Sequence, residues 1–186
     1  MAKAIIVHGW DGAPAHGWYP WVKDELARCG YEALLPQMPH SSHPIIEEWV
    51  EAIEKAVGDT PLPDTIFIGH SLGCQAICRF LEKTQSVAGG VFFIAPVLSH
   101  ISGLDEEEKE TAHSWMTVLP SFAVVGTKAR KFWALFSDND PFIPTENQTV
   151  VRELLKGDVV VENNKGHYSE HDECFELPIL LRAIAE

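Results

Sequence analysis

Three kinds of side chain that acyl transfer uses, a serine, an acid and a histidine, follow one another along this sequence. Ser71 lies in Gly69-His70-Ser71-Leu72-Gly73, directly after the apolar run Thr65-Ile66-Phe67-Ile68 and before an amphipathic segment. The stretch reads as strand, sharp turn, helix. A turn this tight needs small residues on both sides of its serine, and Gly69 and Gly73 supply them. The serine would then stand at the start of a helix, whose free N–H groups favour negative charge. Taken alone the five-residue pattern is weak, because glycine and serine are common in ordinary turns. Its partners come later. Asp138 and Asp140 lie in Ser137-Asp138-Asn139-Asp140-Pro141, and His167 closes Glu162-Asn163-Asn164-Lys165-Gly166-His167. The order serine, acid, histidine is the one a triad takes on an α/β-hydrolase sheet, and unrelated serine proteases use other orders.

The elements that would position these residues can be read from hydrophobic pattern. Short apolar runs at 4–7, 32–35, 65–68, 91–95, 132–136 and 159–161 have the length and composition of buried parallel strands. Stripes at helical spacing occupy 18–29, 45–53, the segment after Ser71, 146–155 and 173–185. Strand–helix alternation along the whole chain predicts one domain spanning 1–186, with about six mainly parallel strands and helices on both faces. On such a sheet the loops at the strand carboxyl ends meet, which is where the serine, the acids and the histidine all fall. The first strand also ends there, in His8-Gly9-Trp10, where glycine would let the backbone approach the serine turn. The backbone N–H groups of Trp10 and Leu72 are the candidate oxyanion donors. Segment 98–130 is the least regular part. Its acidic run, 105–110, and apolar Trp115, Met116, Val118 and Leu119 predict a short helical excursion over the sheet edge, either a solvated charged face or a lid.

Composition narrows the remaining classes. The chain has 186 residues, 46% hydrophobic and 22% charged, enough for one real core. Its formal charge of −13 comes without any Lys/Arg block, which argues against nucleic acid as a partner. No apolar run reaches membrane-spanning length, and the run after Met1 is too short for a signal-peptide core, so a cytoplasmic protein is expected. Cys29, Cys74, Cys78 and Cys174 lack paired C-x-x-C spacing and read as buried free thiols. Cys74 and Cys78 would share a helix face without further ligands, and His167-Tyr168-Ser169-Glu170-His171 is not the His-Glu-x-x-His order. Neither predicts a metal site. Among other histidines, His70 adjoins the serine and is expected to face another way. Trp18 and Trp21 are expected in the core, and Trp10 against the substrate.

Together, Ile6-Val7-His8-Gly9, Trp18-Tyr19-Pro20-Trp21, Gly69-His70-Ser71-Leu72-Gly73-Cys74, Asp140-Pro141-Phe142-Ile143-Pro144 and Gly166-His167 resemble the small YdeN-like serine hydrolases, a group that includes retinoblastoma-binding protein nine. The resemblance spans nearly the whole chain. It implies a compact α/β-hydrolase fold with a reduced sheet and a minimal cap, and it places the family's serine on Ser71, its aspartate on Asp140 and its histidine on His167. Asp138 remains the competitor for the acid, since local strand pairing could exchange the two directions. One departure is Gly17, inserted before the aromatic patch. The resemblance also raises binding to pocket proteins, which rests on a Leu-x-Cys-x-Glu element. Leu72-Gly73-Cys74-Gln75-Ala76 and Asp172-Glu173-Cys174-Phe175-Glu176 each fail to complete it.

The expected activity is therefore a cofactor-free, carboxylesterase-like hydrolysis of a small acyl substrate through an acyl-enzyme. The alternative is a binding or regulatory protein on a hydrolase scaffold.

Overall fold

In the computed structural model, which describes residues 1–186, the apolar runs become six strands. These are β1 (Lys3–Val7), β2 (Glu32–Leu34), β3 (Thr65–His70), β4 (Gly90–Ile94), β5 (Phe132–Ser137) and β6 (Asp158–Glu162), in the order β2-β1-β3-β4-β5-β6. The sheet expected to be mainly parallel is wholly parallel. The four inner strands are buried along their full length, as strands covered on both faces must be. At the edges, β2 and β6 are only partly covered, and Val161 is exposed.

Six helices connect the strands, α1 (Tyr19–Arg28), α2 (Ile46–Val57), α3 (Leu72–Lys83), α4 (Glu106–Thr117), α5 (Phe122–Val125) and α6 (Glu146–Thr149), and α7 (Pro178–Ala185) follows the last strand. On one face α2 packs on α3 and α3 on α5, while α1 packs on α7 over the other. Helix α2 shows how sequence sets this. Trp49, Val50, Ile53 and Val57 form its buried stripe, Glu47 and Glu48 sit in the first turn and Lys55 in the last, so charge and dipole agree. Helix α6 runs on into a π-helical turn, Val150–Leu154, which together fill the helical stretch read at 146–155.

Two segments differ from the pattern read in the sequence. The terminal helix begins at Pro178 and not at Glu173, because proline fits only the first turn of a helix, and the residues before it form a single tight turn, Glu170–Asp172. The 98–130 excursion does not lie over a sheet edge. It leaves β4 and returns to β5, neighbours inside the sheet, so it rises over the strand carboxyl ends. Asn147 fixes its start. Its buried Oδ1 accepts the N–H groups of Leu98, Ser99 and His100, and its Nδ2 donates to the carbonyls of His100 and Pro144. The acidic run then acts as a helix start: Asp105 accepts the Glu108 N–H at 2.9 Å while Glu108 accepts the Asp105 N–H at 2.8 Å.

The aromatic expectations divide. Trp18 is buried, Trp21 is half-buried, and Trp115 lies fully in the core against Trp49, with ring centroids 5.6 Å apart. Cys74 and Cys78 are buried free thiols, whereas Cys29, expected inside, is exposed at the end of α1. No helix is long and apolar enough to cross a membrane.

Candidate active site

The register of the sheet decides which loops meet. Val7 pairs with Gly69, His70 with Ile94, Ile94 with Leu135 and Ser137 with Glu162, so residues 8–10, 71, 138–140 and 163–167 all emerge at one end.

Ser71 sits between β3 and α3 with φ 52° and ψ −123°, a backbone conformation that a residue with a side chain rarely adopts. Such strain costs of order 1–3 kcal/mol and persists only where the surroundings enforce it. Here the Ser71 N–H donates to the Ile94 carbonyl at 3.0 Å, and its own carbonyl accepts from Cys74 and Val97, each at 3.1 Å. Close packing does the rest. A Cβ at Gly73 would stand 2.5 Å from the carbonyl oxygens of Val7 and His8, and one at Gly9 would stand 2.9 Å from the Ser71 Cβ. Gly73→Ala is therefore expected to lose about 1–3 kcal/mol by overpacking against backbone that cannot retreat. In a chain of this size each kcal/mol lowers the melting temperature by about 2–4 °C, and an unchanged melt would mean that α3 and β1 are not in this close contact.

The run Ser137-Asp138-Asn139-Asp140 divides its labour. Asp140 Oδ2 lies 2.9 Å from His167 Nδ1, and its Oδ1 accepts the Phe142 N–H at 2.9 Å. The Asp140 side chain is 1% exposed and that of His167 14%. Asp138 points to the chain before the histidine, accepting the Asn164 N–H at 2.8 Å. Ser137 Oγ accepts from the Lys165 N–H at 2.9 Å, and Asn139 Oδ1 from the Gly166 N–H at 2.8 Å. The three residues other than Asp140 thus hold three successive N–H groups leading into His167. On its far side the His167 N–H donates to Asp172 at 3.0 Å. Burial pushes the Asp172 carboxyl up, but bonds from the Ser169 hydroxyl and N–H and from His167 outweigh it and hold it below the ordinary range.

The loop of the candidate oxyanion donor Trp10 is held by His8. Its Nε2 accepts the Met38 N–H at 3.0 Å, so the ring proton is on Nδ1, which donates to the Gly9 carbonyl at 2.9 Å. Gly12 N–H donates to the same carbonyl at 3.1 Å. With Gly9 C=O held back, the Trp10 N–H on the opposite side of that trans peptide points the other way. No protein group accepts it. Leu72, first residue of α3, has no acceptor within its own helix. Burial pushes the His8 pKa down and keeps the ring neutral.

Ser71 and His167 line one cavity of about 330 Å³, near the lower end for small-molecule sites. No hydrogen bond joins Ser71 Oγ to the histidine ring, a looseness common in unliganded enzymes. Trp10, Ile101, Leu104 and Phe142 supply its apolar wall, Asp11, Asp105, Glu107 and Glu108 its acidic one, with no lysine or arginine. Phe142 meets the His167 ring edge-on, centroids 5.1 Å apart. Nowhere do three His, Cys, Asp or Glu side chains converge to hold a metal ion.

Sequence reasoning missed the roles of Ser137, Asp138, Asn139 and Asp172, since each partner is a loop N–H whose position no spacing rule gives. It also set aside His70, which is buried against the His167 loop.

A wholly parallel sheet carrying a positive-φ serine at a strand–helix turn, with an acid–histidine pair at the ends of later strands, defines the α/β-hydrolase class. The chain belongs to the serine hydrolase family, whose sequence profile matches residues 4–186. It is 25% identical to the Bacillus subtilis (strain 168) protein YdeN over 183 residues, covering 97% of this chain and 93% of that one. To the serine hydrolase RBBP9 of Rattus norvegicus it is 28% identical over 178 residues, covering 94% and 91%. The crystal structure of the B. subtilis ydeN gene product superposes with a TM-score of 0.88 at 21% identity over the structural alignment, covering 100% of this chain and 97% of that chain.

Proposed function

We propose that the protein hydrolyses a small carboxylic ester through an acyl-enzyme on Ser71, with His167 as base and Asp140 as its orienting acid. The observation that carries this reading is the Asp140–His167 pair opening into the same cavity as the strained Ser71. A carboxylate can only accept, so Nδ1 of His167 carries the proton and Nε2 is left bare to take the Ser71 hydroxyl proton. As Oγ bonds to the acyl carbon, the carbonyl oxygen gains charge opposite the N–H groups of Trp10 and Leu72. The imidazolium returns its proton to the leaving alcohol as the C–O bond breaks. Water then repeats the sequence, giving the acid and free Ser71. Thioesters and amides would enter by the same steps, amides with a poorer leaving group. No step calls for a cofactor.

A fluorophosphonate probe tests the reading directly. Covalent labelling of the wild type, lost in Ser71→Ala, is the expected result, and a folded wild type that takes no label would instead favour a binding protein on a hydrolase scaffold. The acidic wall supports a charge preference. An acyl ester bearing a terminal carboxylate is expected to show roughly 10-fold lower kcat/KM than a neutral ester of equal length, with the gap closing as salt rises. Equal rates at low salt would remove that wall from the specificity.

A further inference from the structure

We infer that Tyr19 and His70 are positioning residues that fix the main chain of His167 and tie it to the oxyanion loop through a buried hydrogen-bond relay. The inference rests on the serine-hydrolase reading for its kinetic consequence, though the relay itself is a matter of geometry. His70 Nε2 lies 2.8 Å from the His167 carbonyl oxygen, and Nδ1 lies 2.6 Å from the Tyr19 hydroxyl. The Gly9 N–H reaches that same hydroxyl at 3.4 Å.

Every direction in this chain of bonds is forced. A carbonyl only accepts, so Nε2 carries the His70 proton. Nδ1 is then bare, and the Tyr19 O–H must donate to it, leaving the phenolic lone pairs for the Gly9 N–H. The relay therefore runs from Gly9 through Tyr19 and His70 to His167, with no group free to reverse. Both residues are 5% exposed, so water does not compete for the bonds. Burial, with a smaller contribution from neighbouring His167, pushes the His70 pKa down to about 3, so the single-proton form that the relay needs persists through neutral pH. Burial likewise pushes the Tyr19 hydroxyl well above the ordinary tyrosine range, keeping its proton in place.

The mechanical consequence follows from counting what holds His167. Its N–H is bound by Asp172, its ring by Asp140 and its carbonyl by His70. Releasing the carbonyl frees the peptide between His167 and Tyr168 to rotate, and the imidazole with it. The adjoining residue is held from the same helix end: the Trp18 indole N–H donates to the Tyr168 carbonyl at 3.0 Å. Gly9 stands one residue before the oxyanion donor Trp10, so a shift of Tyr19 reaches both halves of the site.

His70→Leu removes the donor and is expected to lower kcat roughly 100-fold, the size of effect that a misplacement of about 1 Å produces, with KM within about 2-fold. His70→Gln, whose amide nitrogen can stand where Nε2 stood, is expected to stay within about 5-fold of wild type. Tyr19→Phe deletes one oxygen and little volume, and is expected to lower kcat about 10-fold. A second readout needs no substrate: the downfield Nδ1 proton resonance of His167 against Asp140 should broaden or vanish in His70→Leu and Tyr19→Phe and persist in His70→Gln. Wild-type protein with that resonance but no fluorophosphonate labelling would sink the hydrolase reading and leave the relay standing. Folded His70→Leu with unchanged kcat and resonance would overturn the relay, as would His70→Gln failing as badly as His70→Leu. Should His70→Leu not fold, an unaltered resonance in Tyr19→Phe decides against it.

Discussion

Asp140→Asn is expected to lower turnover by roughly 10⁴-fold, because it leaves the site's shape intact and reverses one proton. The two carboxylate oxygens have different partners: Oδ1 accepts the Phe142 N–H and Oδ2 faces His167 Nδ1. An asparagine keeps the first bond by presenting its amide oxygen to Phe142, which turns its NH₂ toward the histidine. Nδ1 must then become the acceptor, the ring proton moves to Nε2, and the base has no lone pair to offer Ser71. Asp138→Asn provides the contrast. Its amide oxygen still accepts the Asn164 N–H, so the chain before His167 stays anchored and activity should fall by no more than about 10-fold. Single-turnover acylation by a fluorophosphonate measures both variants without depending on the natural substrate. A loss in Asp138→Asn equal to that in Asp140→Asn would overturn the assignment of the acid.

His70→Gln is expected to remove much of the protein's sensitivity to mild acid. The folded chain holds the His70 pKa near 3, whereas an unfolded histidine titrates at ~6.5. Below ~6.5 the unfolded state takes up a proton that the folded state refuses, so this stability is complete above that pH. It declines by up to ~1.4 kcal/mol per pH unit as the pH falls toward the folded value. Between about pH 6.5 and about pH 4.5 the wild type should lose roughly 2–3 kcal/mol from this one group. Buried His8, also held below its ordinary value, adds in the same direction and is present in both proteins. Urea denaturation of both proteins at neutral pH and at about pH 4.5 gives the difference, in which changes in surface charge common to the two cancel. Equal losses in the two proteins would mean that His70 is not held neutral on folding.

The experiments share a physical theme. The strained Ser71 and the three bonds that restrain His167 are not local preferences of their own segments. They persist because β3 supplies His70, β4 the Ile94 carbonyl, the loop after β5 Asp140 and the turn at 170–172 Asp172, four separate stretches of chain. A site built this way stores strain at Ser71 and rigidity at His167.

How much of this was legible beforehand differs from element to element. The inner strands, β1, β3, β4 and β5, could be read because full burial leaves continuous apolar runs, and parallel order followed from alternation with helical stripes. The serine turn could be read because its glycines answer a steric need local to five residues, and the chain order of serine, acid and histidine named the sheet that would gather them. The start of α7 was misplaced because Glu173-Cys174-Phe175-Glu176 carries a helical look that Pro178 and the tight turn at 170–172 override. The place of the 98–130 excursion cannot be read from a linear pattern, because strand order across the sheet is a tertiary property.

The sequence by itself determined the fold class, the serine turn and a short list of candidate partners, since these depend on periodicity, composition and order along the chain. Only the tertiary structure decided which aspartate meets His167, because Asp138 and Asp140 differ by two residues and point to different partners across β5 and β6. Only it brought the acidic start of α4 over Ser71 and turned His70 from a bystander into the partner of the His167 carbonyl. Hydrogen bonds between side chains and loop backbone depend on where two distant segments stop, and no local rule in the sequence carries that distance.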